Sequence, residues 1–205
     1  MQHFVIILIT KYYLHDNKWK KGMVSKQKKS IETIPEHDII IRDYHTDDEQ
    51  EWLDVHACIM VDSYAWWTVI HKKPMYVHDV VDLVMVIQDN LIGFIIIELD
   101  ADIVKDRKDA GFVWEFGIDR SFRGQNLGWR LIQEAHHIMQ DNYGITKSLW
   151  YSQDPKAQSY YEHLGMYEIE RHWQFSVYPD KQLQAMFGKN GFTCWEMRGS
   201  CRIED

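Results

Sequence analysis

The hydrophobic pattern changes period several times along the chain, and each change marks an element. "DIIIRDY" (38–44) is short and β-branched, as a strand is. "TDDEQ" follows it, offering Thr46 as a cap and acids for a first helical turn. From about Asp48 to Ser63, Trp52, Val55, Ile59 and Met60 recur at helical spacing and predict one buried face. "LVMVIQDNLIGFIIIEL" (83–99) predicts a hairpin, two β-branched runs about the turn Gln88-Asp89-Asn90. After a charged connection (100–111), "FVWEFGID" (112–119) is again strand-like. A helix is expected from about 128 to 142, with Leu131, Ile132, Ala135 and Ile138 on one side. "SLWYS" (148–152) is a strand and "DPKAQSYYEHLG" (154–165) a short helix. Pro155 suits that helix's first turn and Gly165 its stop. "YEIERHWQFSVYP" (167–179) closes the series as a strand.

Strands outnumber helices, and a hairpin precedes the strand–helix–strand units. The fold class this predicts is α/β, a mixed α+β sheet in one domain. We place a lead-in at 1–35, flexible or non-native, the domain at 36–179, and a C-terminal extension at 180–205 that packs on the domain or on the partner in a homodimer.

Composition narrows the picture. With 205 residues and 45% hydrophobic content, the chain can bury a sizeable core. No apolar run approaches the ~20 residues that span a bilayer. "FVIILIT" (4–10) lacks the flanks of a signal peptide, and the three cysteines form no CxxC pair, so a cytoplasmic setting with reduced thiols is expected. Net charge is −8, but residues 1–35 hold seven lysines against Asp16 and Glu32, a balance of +5, which leaves −13 on the rest. So acidic a body argues against a broad nucleic-acid surface, despite the lysine-rich arm at 17–37. The histidines form no metal-ligand pattern: His136 and His137 diverge on a helix, and no HExxH occurs.

The stretch "FGIDRSFRGQNLGWRLIQEA" (116–135) carries the clearest chemistry. A strand ends near Asp119, a helix is under way by Trp129, and Arg123, Gly124 and Gly128 lie between. Helix N-termini offer N–H groups and partial positive charge to phosphates. Glycines let backbone approach a bulky anion, and arginine adds forked, permanently charged donors. Neither GxxxxGK[ST] nor GxGxxG is present, so the two commonest phosphate loops do not apply.

This stretch resembles the acetyl-CoA loop of the GNAT superfamily of N-acyltransferases, whose pattern is Q/R-x-x-G-x-G/A. Arg123, Gly124, Gln125, Asn126, Leu127 and Gly128 occupy it, with Asn126 in place of the first patterned glycine. Asparagine is the residue next most tolerant of left-handed backbone. Downstream, "DPKAQSYYEHLGMYEI" (154–169) is similar to the superfamily's N-x-x-A-x-x-x-Y-E-x-L-G-F stretch. Ala157, Tyr161, Glu162, Leu164 and Gly165 match, while Asp154 replaces asparagine and Met166 phenylalanine. The resemblance covers roughly 38–178.

It implies a GNAT-like fold: a central, mostly antiparallel sheet, splayed at the cofactor site and flanked by helices. It also implies an acetyl-CoA-dependent N-acetyltransferase acting on an amine acceptor. The backbone of Ile118 would meet the pantetheine arm, and the amides of Arg123 to Trp129 the pyrophosphate. Asp154 would stand where an asparagine touches the cofactor. Tyr161 takes the position of the proton donor to the departing thiolate. Glu115, on the strand before the loop among Val113, Trp114 and Phe116, is the candidate base, with Asp119 and Glu98 in reserve. Glu115 and Ile118 face opposite sides of a regular strand, a parity that a bulge would change. For the acceptor, Tyr64, Trp66, Trp67 and Tyr76, with Asp62, Asp79 and Asp82, suggest an aromatic, acidic wall suited to a small cationic amine. A protein N-terminus or lysine is the alternative acceptor, and a non-catalytic acyl-CoA sensor the alternative function.

Overall fold

The computed structural model describes residues 34–62, 69–102, 106–152, 154–172 and 192–198. All of these belong to one compact unit that begins at Ile34. Tyr64, Trp66, Trp67, residues 17–33 of the lysine-rich arm and 173–191 lie outside the described residues, as does the side chain of Asp62.

Among the described residues seven strands make one sheet: β1 (Ile39–Asp43), β2 (Val80–Ile87), β3 (Asn90–Glu98), β4 (Ala110–Ile118), β5 (Lys147–Ser152), β6 (Tyr167–His172) and β7 (Phe192–Arg198). Their spatial order is β1-β2-β3-β4-β5-β7-β6. Every neighbouring pair is antiparallel except β4 with β5. Helix α1 (Glu49–Asp62) covers one face; α2 (Leu127–Tyr143) and α3 (Pro155–His163) cover the other.

Local chemistry explains most boundaries. Gln88 and Asp89 both have positive φ, 50° and 62°, the twist that a two-residue hairpin requires. The turn is therefore one residue shorter than its sequence suggests, and Asn90 already pairs with Ile87. Thr46 does not cap α1. It begins a short 3-10 turn, Thr46–Asp48, where the Asp48 carboxylate accepts from the His45 N–H (2.8 Å) and from the Arg42 guanidinium (2.7 and 2.8 Å). A carboxylate that an arginine already orients is the stronger acceptor. Asp154 caps α3 by accepting from the Lys156 N–H (2.9 Å), Pro155 opens the helix, and Gly165 follows it at φ 72°.

The central strands β2 and β3 are buried on both faces. Val84, Val86, Phe94 and Ile96 pack with Trp52, Val55 and Ile59 of α1. Leu83, Met85, Ile95 and Ile97 pack with Leu131, Ile132, Ala135 and Met139 of α2. Strand β7, from the segment assigned to the C-terminal extension, lies inside the sheet, pairing β5 on one side and β6 on the other.

Candidate active site

The sheet opens between β4 and β5. Their pairing runs from Ala110↔Lys147 to Val113↔Trp150 and stops there, although β4 continues to Ile118 and β5 to Ser152. Past that point, among the described residues, β4 pairs only with β3. The Asp119 N–H donates to Ile92 O (2.7 Å), so strand alternation turns the Ile118 backbone the other way, into the gap. Its carbonyl accepts from Arg123 Nε at 2.8 Å. Arg123 thus ties the end of the strand to the loop that follows.

That loop begins with a 3-10 turn, Arg120–Phe122, capped by Asp119, whose carboxylate accepts from the Ser121 N–H (2.7 Å). It ends at Asn126, which sits in the left-handed region at φ 63°, ψ 10°. Asparagine adopts here the conformation for which glycine is the usual choice. The first turn of α2 therefore leaves the loop with its N–H groups beyond the reach of the helix's own carbonyls. Gly124, at φ 84°, has open space where a Cβ would stand. Gly128 has none: a Cβ would lie 3.1 Å from Phe116 Cζ and 3.2 Å from the Tyr160 hydroxyl. Its role is close approach of α2 to the gap.

The α2/α3 side of the gap is aromatic. Phe116 meets Trp150 edge-on (5.3 Å) and lies parallel to Tyr160 (6.4 Å, 8°). Tyr161 turns inward, against Trp150 (5.4 Å) and Trp195 of β7 (6.1 Å). Burial pushes its hydroxyl pKa up, and the nearby Asp154 carboxylate adds to that, while a hydrogen bond with Ser152 works the other way. Such a hydroxyl stays protonated throughout the physiological range.

The sequence profile of the Acetyltransferase (GNAT) family matches residues 38–166, well over half of the chain. The chain belongs to that family. It is an acyltransferase of the GNAT kind, and solved GNAT structures share its fold. One is a GNAT-family acetyltransferase of Staphylococcus aureus, 15% identical with TM-score 0.56, the match covering 78% of this chain and 98% of that one. Another is the PaiA N-acetyltransferase of Thermoplasma acidophilum in complex with coenzyme A, 16% identical with TM-score 0.54 over 78% and 98%. A provisionally named streptothricin acetyltransferase of Bacillus anthracis, in complex with acetyl coenzyme A, is 14% identical with TM-score 0.54 over 78% and 99%. No curated protein matches the sequence. Among the described residues no helix is long and apolar enough to cross a membrane.

On this GNAT sheet Glu115 lies across from the loop. The bulge in β4 falls at Trp114, because Ile96 pairs Glu115 and Ile97 pairs Val113. It precedes Glu115, so Glu115 and Ile118 keep opposite faces. Glu115 points to α1, where its Oε2 is 3.5 Å from His56 Nε2. His56 is 1% exposed, stacks on Trp52 (5.0 Å, 21°), and its Nδ1 has no hydrogen-bond partner among the described residues. Sequence reading missed it, though it lies one turn after Trp52 on the same stripe of α1. The two reserve carboxylates are already engaged. Asp119 caps its turn, and Glu98 accepts from the Val77 and His78 N–H groups (both 3.1 Å) and from Trp114 Nε1 (2.7 Å).

Of the acceptor wall, Tyr76 and Asp82 fall together on the α1 face. Burial, then the carboxylates of Glu115, Asp82 and Glu98, raise the Tyr76 pKa. The phenol is thus ringed by three acids. Asp79 lies just before β2, exposed, and its carbonyl accepts from the Leu99 N–H (2.8 Å).

Proposed function

We propose that this GNAT protein transfers the acetyl group of acetyl-CoA to a primary amine by direct attack, the acceptor being a small cationic amine. One observation carries the reading: β4 and β5 part company just where the α2 N-terminus and the Asn126–Gly128 turn arrive. A gap with unpaired strand backbone on one wall and helix amides at its mouth suits an extended arm ending in phosphates. In this reading the Ile118 backbone holds the arm. The loop Arg123, Gly124, Gln125, Asn126, Leu127, Gly128 and Trp129 holds the pyrophosphate. Asp154 orients α3 beside the gap, its carboxylate serving as a cap instead of a contact to the arm.

The chemistry then divides between the faces. An alkylamine has a pKa near ~10.4, so roughly one molecule in a thousand is neutral at pH 7. Glu115, approached from the α1 side, takes the proton, with His56 fixing its carboxylate. The amine's lone pair forms a bond to the thioester carbonyl carbon, the carbon–sulfur bond breaks, and the thiolate leaves on the α3 side. Tyr161 gives the thiolate its proton, and the surplus proton that the nitrogen sheds as the amide forms restores the phenol. Acid and base thus stand on opposite faces of the sheet, which suits direct addition of the amine and expulsion of the thiolate with both reactants held together. The sensor reading draws on the departures from the family pattern at Asn126 and Asp154, and Asn126 keeps the left-handed geometry of a glycine.

Calorimetric titration of the purified protein with acetyl-CoA, repeated on Arg123→Glu, tests this. We expect binding by the wild type and weakening by about tenfold or more in the variant, since a charge that meets phosphate is reversed. No binding by the wild type would overturn the reading. Binding without turnover across a panel of amines would favour the sensor.

A further inference from the structure

On the α1 face a cation already occupies a site built for one. Lys73 comes from the irregular stretch 69–79 that leads into β2, its N–H donating to Glu49 Oε1 (3.2 Å). Its ammonium pairs with the Asp82 carboxylate. It also stands 4.1 Å from the ring centre of Tyr44, 5.5 Å from that of Trp52 and 5.9 Å from that of Tyr76. The Lys73 side chain is only 8% exposed. Three aromatic faces and a carboxylate around one ammonium are the elements of alkylammonium recognition.

Stability alone does not account for this arrangement. A buried ion pair is a weak stabiliser compared with apolar side chains of the same volume. The pair is also incomplete, because Asp82 Oδ1 is buried with no hydrogen-bond partner among the described residues. The carboxylate thus has capacity for a further donor.

The cradle is also in line with the reacting end of the site. Asp82 on β2 pairs Ile96 on β3, and Ile96 pairs Glu115 on β4. Residues opposite one another share a face, so Asp82 and Glu115 stand in one cross-strand row on the α1 side, two strand spacings or about 10 Å apart. A short molecule with an ammonium at each end spans such a row, one end in the cradle and the other at Glu115.

The geometry points to Lys73 as a built-in stand-in for substrate: the Tyr44–Trp52–Tyr76–Asp82 cradle is the distal subsite for an alkyl diamine, and Lys73 holds it until a diamine displaces the ammonium. This rests on the reading of the α1 face as the acceptor side. It makes the free protein self-inhibited at that subsite, since each binding event must first evict Lys73.

The test is calorimetric titration of the full chain, in the presence of coenzyme A, with 1,4-diaminobutane. Wild type, Lys73→Met and Asp82→Asn are compared, and Lys73→Gln replaces Lys73→Met if the latter does not fold. We expect measurable binding by the wild type, about tenfold or tighter binding by Lys73→Met, and loss of binding in Asp82→Asn. Binding by Lys73→Met no tighter than wild type, binding by the variant alone, or binding retained in Asp82→Asn would each overturn the inference. A parallel acetyl-CoA titration separates the two claims. If acetyl-CoA binds and the diamine comparison fails, only the cradle assignment falls; if the wild type does not bind acetyl-CoA, the acetyl-transfer reading falls.

Discussion

The two faces of the sheet are built from different materials. On the α2/α3 face the candidate cofactor site is made of backbone: the unpaired edge of β4, the amides at the start of α2, and residues chosen for their φ angles or for having no side chain. On the α1 face the candidate acceptor site is made of side chains drawn from widely separated segments: Tyr44, His56, Lys73, Asp82 and Glu115. A backbone site needs a short run of residues in fixed order. A side-chain site needs only that the fold bring its parts together. The first kind leaves a motif in the sequence, whereas the second leaves scattered polar and aromatic residues.

The division predicts which perturbations separate cofactor binding from turnover. The largest effect is expected from Tyr161→Phe, which removes one oxygen. Turnover should fall about a thousandfold, within the usual range for a proton donor, with acetyl-CoA affinity unchanged in calorimetry. Tyr160→Phe is its control. The Tyr160 hydroxyl is directed at Gly128, so its loss should alter cofactor affinity more than turnover. A matching loss of turnover in both variants would blur the assignment.

The next effect concerns stability on the α2 face. His136 is buried against Ser148 (2.7 Å), and desolvation lowers its pKa from 6.5 to about 4. The folded state therefore binds fewer protons than the unfolded one between these values. The contribution is fully present above about pH 6.5 and is lost as pH falls towards 4, about 3 kcal/mol in all. Urea unfolding at a series of pH values should show this slope, and His136→Gln should flatten it.

On the α1 face Glu115→Gln should lower kcat/KM for an amine about a hundredfold while leaving the acetyl-CoA titration unmoved. The residual rate should climb roughly tenfold per pH unit up to ~10, as the amine deprotonates itself. A variant whose cofactor affinity drops as well would show that the faces are not independent. The smallest effect is at Asn126. Valine there should cost about 1–2 kcal/mol in urea unfolding, because a β-branched residue is forced to positive φ, and glycine should be tolerated.

These contrasts explain what could be read from the chain alone. The hairpin, both long helices and the α3 caps follow from local patterns, and so does the loop, because Gly124 and Asn126 fill its two left-handed positions with residues suited to them. Thr46 does not act as the expected cap because Arg42, four residues upstream, orients Asp48 instead. His56 stood on the helical stripe of Trp52 and was legible in principle, as a polar residue on an apolar face. Lys73 was not legible. Nothing in "IHKKPMY" tells which lysine turns inward, since all of its partners but Tyr76 come from β2, α1 and the residue after β1.

One wall of the gap is β5, and β5 is held unevenly. It shares four residue pairs with β4, Ala110↔Lys147 to Val113↔Trp150, but six with β7, Lys147↔Arg198 to Ser152↔Thr193. Trp195 of β7 also backs Tyr161. During synthesis, then, every residue of the proposed catalytic pair and the phosphate loop is made well before the strand that braces them. Until Phe192–Arg198 has been made, β5 remains an open edge and Tyr161 lacks its backing ring. Competence for acetyl transfer should arrive all at once when that strand is in place, with β7 acting as the keystone of the nascent domain.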